Sequence, residues 1–266
     1  MVMFRRRPYR IGLALSGGGA RGFAHLGALY ALEELGIKPG IVAGVSAGSI
    51  AAALYGSGMK PMEIMRSFMK ARFWDFCEIG VPSGGFFTMK GFHAFIKENL
   101  KVTRLEECPL PTVICATDLD NCKPVQWRAG EISERVLASC SMPVVFRPVT
   151  IGGTHYVDGG VLHNLPSWAI RKDVTHLIGI NVSPQIKPGR SSGNIIDVAS
   201  RSFHLMSRNN ATADIELCDT IVSVDSIADM GVFTLKEKER MFKSGYYATK
   251  KALADSPLLK STFSIL

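Results

Sequence analysis

Residues 10–22 have the sequence RIGLALSGGGARG, in which a short apolar run leads into three consecutive glycines. The apolar run predicts a buried strand over residues 10–16, and the glycines predict a tight turn after it. Leucines at positions 26, 29, 32 and 35 then recur at helical spacing, which predicts a helix over residues 22–35 that stops at Gly36. The segment therefore reads as a strand, a glycine-rich turn and a helix.

The same alternation continues along the chain. A second strand is predicted at 41–45 and a second helix at 47–55. Further strands are predicted at 112–117, 125–128, 177–182 and 220–224, and further helices at 62–71, 91–99, 132–140, 195–211 and 237–254. Strand–helix alternation of this kind is typical of an α/β fold with a largely parallel central sheet. We expect a single domain over residues 10–255, with a basic N-terminal arm at 1–9 and a C-terminal tail at 256–266.

The composition excludes several classes of protein. The chain has 266 residues, of which 47% are hydrophobic and 20% charged, as in ordinary globular proteins, so a disordered or fibrous chain is excluded. The apolar run at 11–15 lacks the cleavage site of a signal peptide. Residues 40–59 carry no charge, but their five glycines and three serines are too polar and flexible for a membrane-spanning helix. These features predict a cytoplasmic protein.

Residues 44–48, Gly-Val-Ser-Ala-Gly, match the pattern G-x-S-x-G at the point where the second predicted strand leads into a helix. The flanking Gly44 and Gly48 permit a sharp turn with crowded backbone, which lifts the serine oxygen clear of the sheet. The N-terminus of the following helix favours negative charge nearby. Serine between small residues is otherwise ordinary turn material, but this position favours Ser46 as a nucleophile.

Residues 17–22, Gly-Gly-Gly-Ala-Arg-Gly, allow two interpretations. As G-x-G-x-x-G between a strand and a helix they match a dinucleotide-binding turn, which expects an acidic residue at the end of the second strand. That strand ends at Val45-Ser46 instead, which weakens this interpretation. As an oxyanion hole, the same loop presents free backbone N–H groups at a helix N-terminus. Arg21 could steady the loop, contact substrate or simply be solvated.

A third element is Asp158-Gly159-Gly160, which alone is a signal for a tight turn. The three motifs together resemble the patatin-like phospholipases, which carry a G-G-G-x-R-G loop, a G-x-S-x-G nucleophile and a D-G-G/A aspartate in this order. Residues 138–148 look similar as well, and the resemblance extends over roughly residues 10–250. It implies a three-layer α/β/α fold. It also implies that the protein hydrolyses carboxylic esters of lipids without a metal or cofactor.

The resemblance also implies a mechanism. Ser46 is the nucleophile and Asp158 the base, with no histidine in the catalytic pair. The expected oxyanion donors are the amides of Gly17, Gly18 and Gly19, and the expected supporting residues are Arg21, Gly44, Gly48, Gly159 and Gly160. Aspartate normally titrates near pH 3.9, so a good base here requires an apolar setting that raises the pKa of Asp158.

Histidines near the motifs leave a second arrangement open. His155 and His163 flank Asp158, and His25 follows the glycine loop. The order Ser, Asp, His along the chain would allow His163 to act as the base of a Ser-His-Asp triad. A histidine beside a loop is more often solvated or in a supporting position.

The charge distribution indicates which partners the protein has. The chain carries 31 Lys and Arg against 23 Asp and Glu, for a net charge of +8, and Arg5, Arg6, Arg7 and Arg10 supply much of the excess. This arm is either solvated or attracted to an anionic surface. No nucleic-acid module is recognisable, so we expect peripheral contact with an anionic membrane and no nucleic acid.

Two other groups of residues have structural and functional interpretations. The aromatic side chains at 73–92, among them Phe76 and Phe92, are either core or an apolar flap or acyl-chain pocket beside the site. The six cysteines form no C-x-x-C pair and predict buried, reduced thiols. Alternatives to a lipid hydrolase are a lipid-binding or regulatory protein without turnover and, less favoured, a dinucleotide-binding oxidoreductase.

Overall fold

The computed structural model of the chain describes residues 8–69, 71, 75–76, 78–79, 87–185 and 192–260. The strands in this part are β1 Tyr9–Leu15, β2 Ile41–Val45, β3 Glu78–Ile79, β4 Phe87–Thr88, β5 Thr112–Asp118, β6 Lys123–Trp127, β7 Val149–Ile151, β8 Thr154–Asp158, β9 Val174–Asn181 and β10 Thr220–Ser223. The helices in this part are α1 Phe23–Glu34, α2 Ala47–Gly56, α3 Pro61–Ser67, α4 Lys90–Asn99, α5 Ile132–Cys140, α6 Ser167–Ile170, α7 Ile195–Asn210, α8 Thr212–Glu216, α9 Lys238–Leu253 and α10 Pro257–Lys260.

The central sheet has the order β10-β9-β1-β2-β5-β8-β7, with β6 paired to β5 outside this path. The strands from β10 to β5 are parallel to one another. The pairings of β6, β7 and β8 are antiparallel. The predicted largely parallel sheet is confirmed for its first five strands. Because parallel strands end at the same edge, the loops after β1 and β2 meet there.

The hairpin of β7 and β8 was not predicted from the sequence, because only Asp158-Gly159-Gly160 was interpreted there, as a turn. The turn itself is Gly152-Gly153, with φ of 59° and 85°. A two-residue hairpin with positive φ at both positions favours glycine, since other residues adopt this conformation rarely. The hairpin matters for the site, because β8 pairs with β5 and carries Asp158 at its end.

Helices cover both faces of the sheet, which confirms the expected three layers. Leu13 and Leu15 of β1 belong to the larger core, which α1, α2 and α9 help to form, and Ala14 belongs to a second core on the side of α6 and α8. Strands buried on both faces read as continuous apolar runs, as residues 11–15 do. Among the described residues, no helix combines the length and apolarity needed to cross a bilayer.

Two expectations from the sequence are corrected. Cys122 is exposed, at a φ of 52°, and of the five described cysteines only Cys115 is fully buried, so most are not the buried thiols expected. The segment at 256–266 is not wholly a tail, because Leu258 of α10 packs into the larger core. Cys77 and the basic side chains Arg5, Arg6 and Arg7 lie outside the described residues.

Candidate active site

Ser46 lies at a sharp turn between β2 and α2. Its φ of 50° and ψ of −123° are unusual for a residue with a side chain, a conformation that costs on the order of 1–3 kcal/mol. Hydrogen bonds hold it in place, because its N–H donates to Ser139 Oγ at 2.8 Å and its carbonyl accepts from the N–H of Ser49 at 2.8 Å. Ser139 in turn donates to the carbonyl of Cys115 on β5 at 2.6 Å. The turn is therefore anchored to the neighbouring strand.

Gly44 and Gly48 lie where the backbone is most crowded around the serine turn. A Cβ atom at Gly44 would overlap the carbonyl of Gly48, and a Cβ atom at Gly48 would overlap the carbonyl of Leu15. Only glycine lets these backbones approach so closely. The two glycines therefore bring Ser46 beside the end of β1, where the glycine loop starts.

Asp158 is fully buried at the end of β8 and lies next to Ser46. The N–H of Gly160 donates to Oδ1 at 2.8 Å, and the Ser46 side chain lies close enough to the carboxylate to interact with it. Burial raises the pKa of Asp158 to about 7, although both interactions oppose the shift. Gly159 packs against Val45 and the carbonyl of Cys115 with no room for a larger side chain. The aspartate thus has the apolar setting that a base near neutral pH requires.

The glycine loop departs from expectation at Gly17. Its N–H already donates to the carbonyl of Asn164 at 3.0 Å, so it is not available to hold an oxyanion. Within the described part of the chain, the N–H groups of Gly18 and Gly19 donate no hydrogen bond, and both residues line the same cavity as Ser46 and Asp158. Two amides, those of Gly18 and Gly19, are therefore available at this helix start, and not the three that were expected.

Arg21 steadies the loop and is not solvated. Its side chain is buried, and its Nε and Nη2 donate to the carbonyls of Met230 and Ala228 at 3.0 and 3.3 Å. Its Nη1 lies 3.3 Å from Nε2 of His204 on α7. Burial, followed by the Arg21 charge, lowers the pKa of His204 to about 4, so the neutral imidazole accepts this hydrogen bond.

The histidines near the motifs have partners other than Ser46. His163 places Nδ1 3.0 Å from the carboxylate of Asp214, and His155 pairs with Asp120 at the surface. His25 is buried with Nε2 2.8 Å from the carbonyl of Ser16, and burial lowers its pKa to about 4. Among the described contacts, none of these three imidazoles bonds to Ser46, whereas the carboxylate of Asp158 interacts with the Ser46 side chain, which favours a dyad over a triad.

Replacing His163 with alanine is expected to lower ester turnover by less than about tenfold, because the imidazole contacts Asp214 and not the nucleophile. The substitution leaves the buried Asp214 without its partner, so the melting temperature should fall. Turnover is therefore measured well below the melting temperature of the variant. A loss of about 100-fold or more in a folded sample would indicate a triad.

An apolar cavity of about 180 Å³ opens beside these residues. Phe76 and Phe92 from the aromatic segment line it, together with Phe23, Leu26 and Phe68. These aromatic side chains also pack against one another, with ring centroids of Phe76 and Phe92 5.7 Å apart. They are therefore both core and cavity wall, while Phe73, Trp74 and Phe86 lie outside the described residues.

Sequence reasoning missed Asn164 and Ser139. Asn164 is buried, accepts from the N–H of Gly17 through its backbone carbonyl and lines the cavity, and its Nδ2 has no hydrogen-bond partner among the described residues. Asn164 follows the aspartate by six positions, and no motif in the sequence marks it. Ser139 lay within the segment at 138–148 that resembles the family, but its contact with Ser46 depends on the packing of α5 against β5.

Comparisons with known proteins give the family of the chain. The family model described as patatin-like phospholipase matches residues 13–169. An uncharacterized NTE family protein of Mycobacterium tuberculosis is 28% identical over 65% of this chain and 50% of its own length. A lysophospholipase NTE1 of Meyerozyma guilliermondii is 30% identical over 75% of this chain and 14% of its own length.

A solved structure supports the fold. The crystal structure of VipD from Legionella pneumophila superposes with a TM-score of 0.52 at 16% identity, over 96% of this chain and 67% of that one. The chain spans about half the length of the first curated relatives that it matches. The family model covers more than half of the chain, and it includes the glycine loop, the serine turn and the aspartate turn. The chain belongs to the patatin-like phospholipase family.

Proposed function

We propose that this chain is a serine acyl hydrolase that cleaves carboxylic esters of lipids, in the manner of a phospholipase A or a lysophospholipase. One observation carries the proposal: the Ser46 side chain lies beside a buried carboxylate with a pKa of about 7, at the wall of an apolar cavity. The name of the yeast relative, a lysophospholipase, supports the same substrate class. The oxidoreductase alternative is not retained, because Gly18 and Gly19 of the glycine loop line the same cavity as Ser46 and Asp158. This position suits an oxyanion hole better than a dinucleotide site.

In the first half of the reaction, Ser46 Oγ attacks the ester carbonyl while Asp158 takes the hydroxyl proton. The N–H groups of Gly18 and Gly19 stabilise the negative oxygen, each contributing on the order of 3 kcal/mol. Asp158 then gives its proton to the leaving alcohol, and the acyl group stays bound to Ser46. A pKa near 7 suits both steps, since the group must accept and release a proton at neutral pH.

In the second half, a water molecule loses a proton to Asp158 and attacks the acyl-enzyme. The tetrahedral intermediate again places its oxygen at the two amides, and its collapse returns the proton to Ser46 Oγ and releases the fatty acid. The acyl chain lies in the apolar cavity, where Phe23, Leu26 and Phe92 contact it. The lipid substrate brings the protein into peripheral contact with membranes.

The test is labelling with a fluorophosphonate, which reacts with activated serines, followed by peptide mapping. We expect a single adduct on Ser46 that is lost when Asp158 is replaced by Asn, because the dyad activates the hydroxyl. The matched control is Asp120→Asn, which removes an exposed carboxylate paired with His155 and should label like the wild type. If the folded wild type forms no adduct and releases no fatty acid from lysophospholipid, the hydrolase proposal is wrong. The lipid-binding interpretation would then take its place.

A further inference from the structure

Helix α7 has an inner face that lines the cavity and an outer face that carries exposed apolar side chains. Its inner face carries Phe203 and His204, which line the cavity with two serines. Its outer face carries four large apolar side chains that are 38–65% exposed: Ile195, Val198, Leu205 and Met206. At about 100° per residue the four lie within an arc of about 100°, on the side opposite the inner face. A soluble helix normally places polar side chains on such a face.

From this arrangement we propose that the outer face of α7 is the surface with which the protein binds an anionic phospholipid leaflet. This inference rests on the proposed function, which requires substrate from a lipid phase. An interfacial helix buries its apolar face at the boundary of headgroups and acyl chains. Because the opposite face of the same helix walls the acyl cavity, docking by α7 brings that cavity next to the leaflet.

The charges around this face fit an anionic surface. Arg201 and Arg208 lie along one edge of the apolar arc, where their positive charges attract an anionic surface. The acidic Asp197 lies in the first turn, where its Oδ2 accepts from the N–H of Ser192 at 2.8 Å. The whole chain carries a net charge of +8, which adds attraction to anionic lipids over a longer range.

The test measures binding of the Ser46→Ala variant to sedimented phosphatidylcholine vesicles, with and without phosphatidylserine. This background cannot hydrolyse lipid by the proposed mechanism, so binding is scored independently of catalysis. Adding Val198→Gln and Leu205→Gln should lower the partition coefficient for anionic vesicles by about tenfold or more. The melting temperature should not change, because both side chains already face solvent.

The matched control is Met62→Gln with Leu217→Gln, which changes exposed apolar side chains elsewhere on the surface and should leave binding unchanged. Equal vesicle binding by the α7 variant and its parent would overturn the inference, as would an absence of binding by the parent. Gel filtration tests the alternative that a second copy of the chain binds this face. A dimer that the α7 substitutions dissociate would assign the face to that second copy. The two proposals can fail separately. If vesicle binding depends on α7 but the wild type has no esterase activity, the proposed docking surface is kept and the proposed hydrolase function is rejected.

Discussion

Replacing Asp158 with asparagine is expected to lower the turnover of ester substrates by about a thousandfold or more. Asparagine keeps the shape of the side chain and can still accept from the N–H of Gly160. It cannot accept the proton of Ser46, so the attacking oxygen loses its base. Replacing Ser46 with alanine removes the nucleophile itself and should lower turnover by about ten-thousandfold.

Both variants are measured on a soluble p-nitrophenyl ester and on lysophosphatidylcholine, and kcat is determined separately from KM. The loss should fall on kcat, because neither residue is needed to hold the acyl chain in the apolar cavity. Asp120→Asn serves again as the matched control and should keep the wild-type rate. A kcat within about tenfold of wild type for Asp158→Asn would exclude this aspartate as the base.

The same Asp158→Asn substitution is expected to stabilise the folded protein above neutral pH. An unfolded aspartate ionises near pH 3.9, whereas burial raises the pKa of Asp158 in the native state to about 7. Between these values the native state holds a proton that the unfolded state has lost, so the wild type loses stability as pH rises through this window. Asparagine has no such dependence, and its advantage should reach on the order of 4 kcal/mol above pH 7.

Urea unfolding at pH 5 and pH 8 measures this difference, and the gap between variant and wild type should be larger at pH 8. Asp120→Asn provides a control in which the substitution is expected to lower, not raise, the free energy of unfolding. Hydrogen bonds from His155 lower the pKa of Asp120, so its ionised form stabilises the native state above the unfolded pKa. A constant gap between Asp158→Asn and wild type at both pH values would mean that Asp158 titrates normally.

Local pattern was enough to predict most of the sheet and the serine turn. The apolar run at 11–15 and the leucines of α1 identify a buried strand and its helix, because each periodicity matches one element. The turn at Ser46 followed from its two glycines and its position at a strand end. Strand β9 begins at Val174, before the predicted start at 177, since its first residues are not continuously apolar.

Contacts between distant segments could not be predicted from local pattern. Nothing in the sequence of the glycine loop indicates that the N–H of Gly17 donates to the carbonyl of Asn164. The partners of Arg21 lie more than 180 positions away along the chain, at Met230 and His204. The apposition of Ser46 and Asp158 was implied by the family resemblance, but the pairing of β8 with β5 produces it.

The guanidinium of Arg21 has a consequence for how α7 and the glycine loop move together. It joins the loop that carries the Gly18 and Gly19 amides to the imidazole of His204 on α7. If α7 docks on a leaflet and these amides hold the oxyanion, as proposed above, a displacement of α7 would change the hydrogen bond next to the oxyanion donors. Thermodynamic linkage would then make the coupling reciprocal, so that a ligand bound at Ser46 would change membrane affinity by the factor with which the membrane changes binding at Ser46.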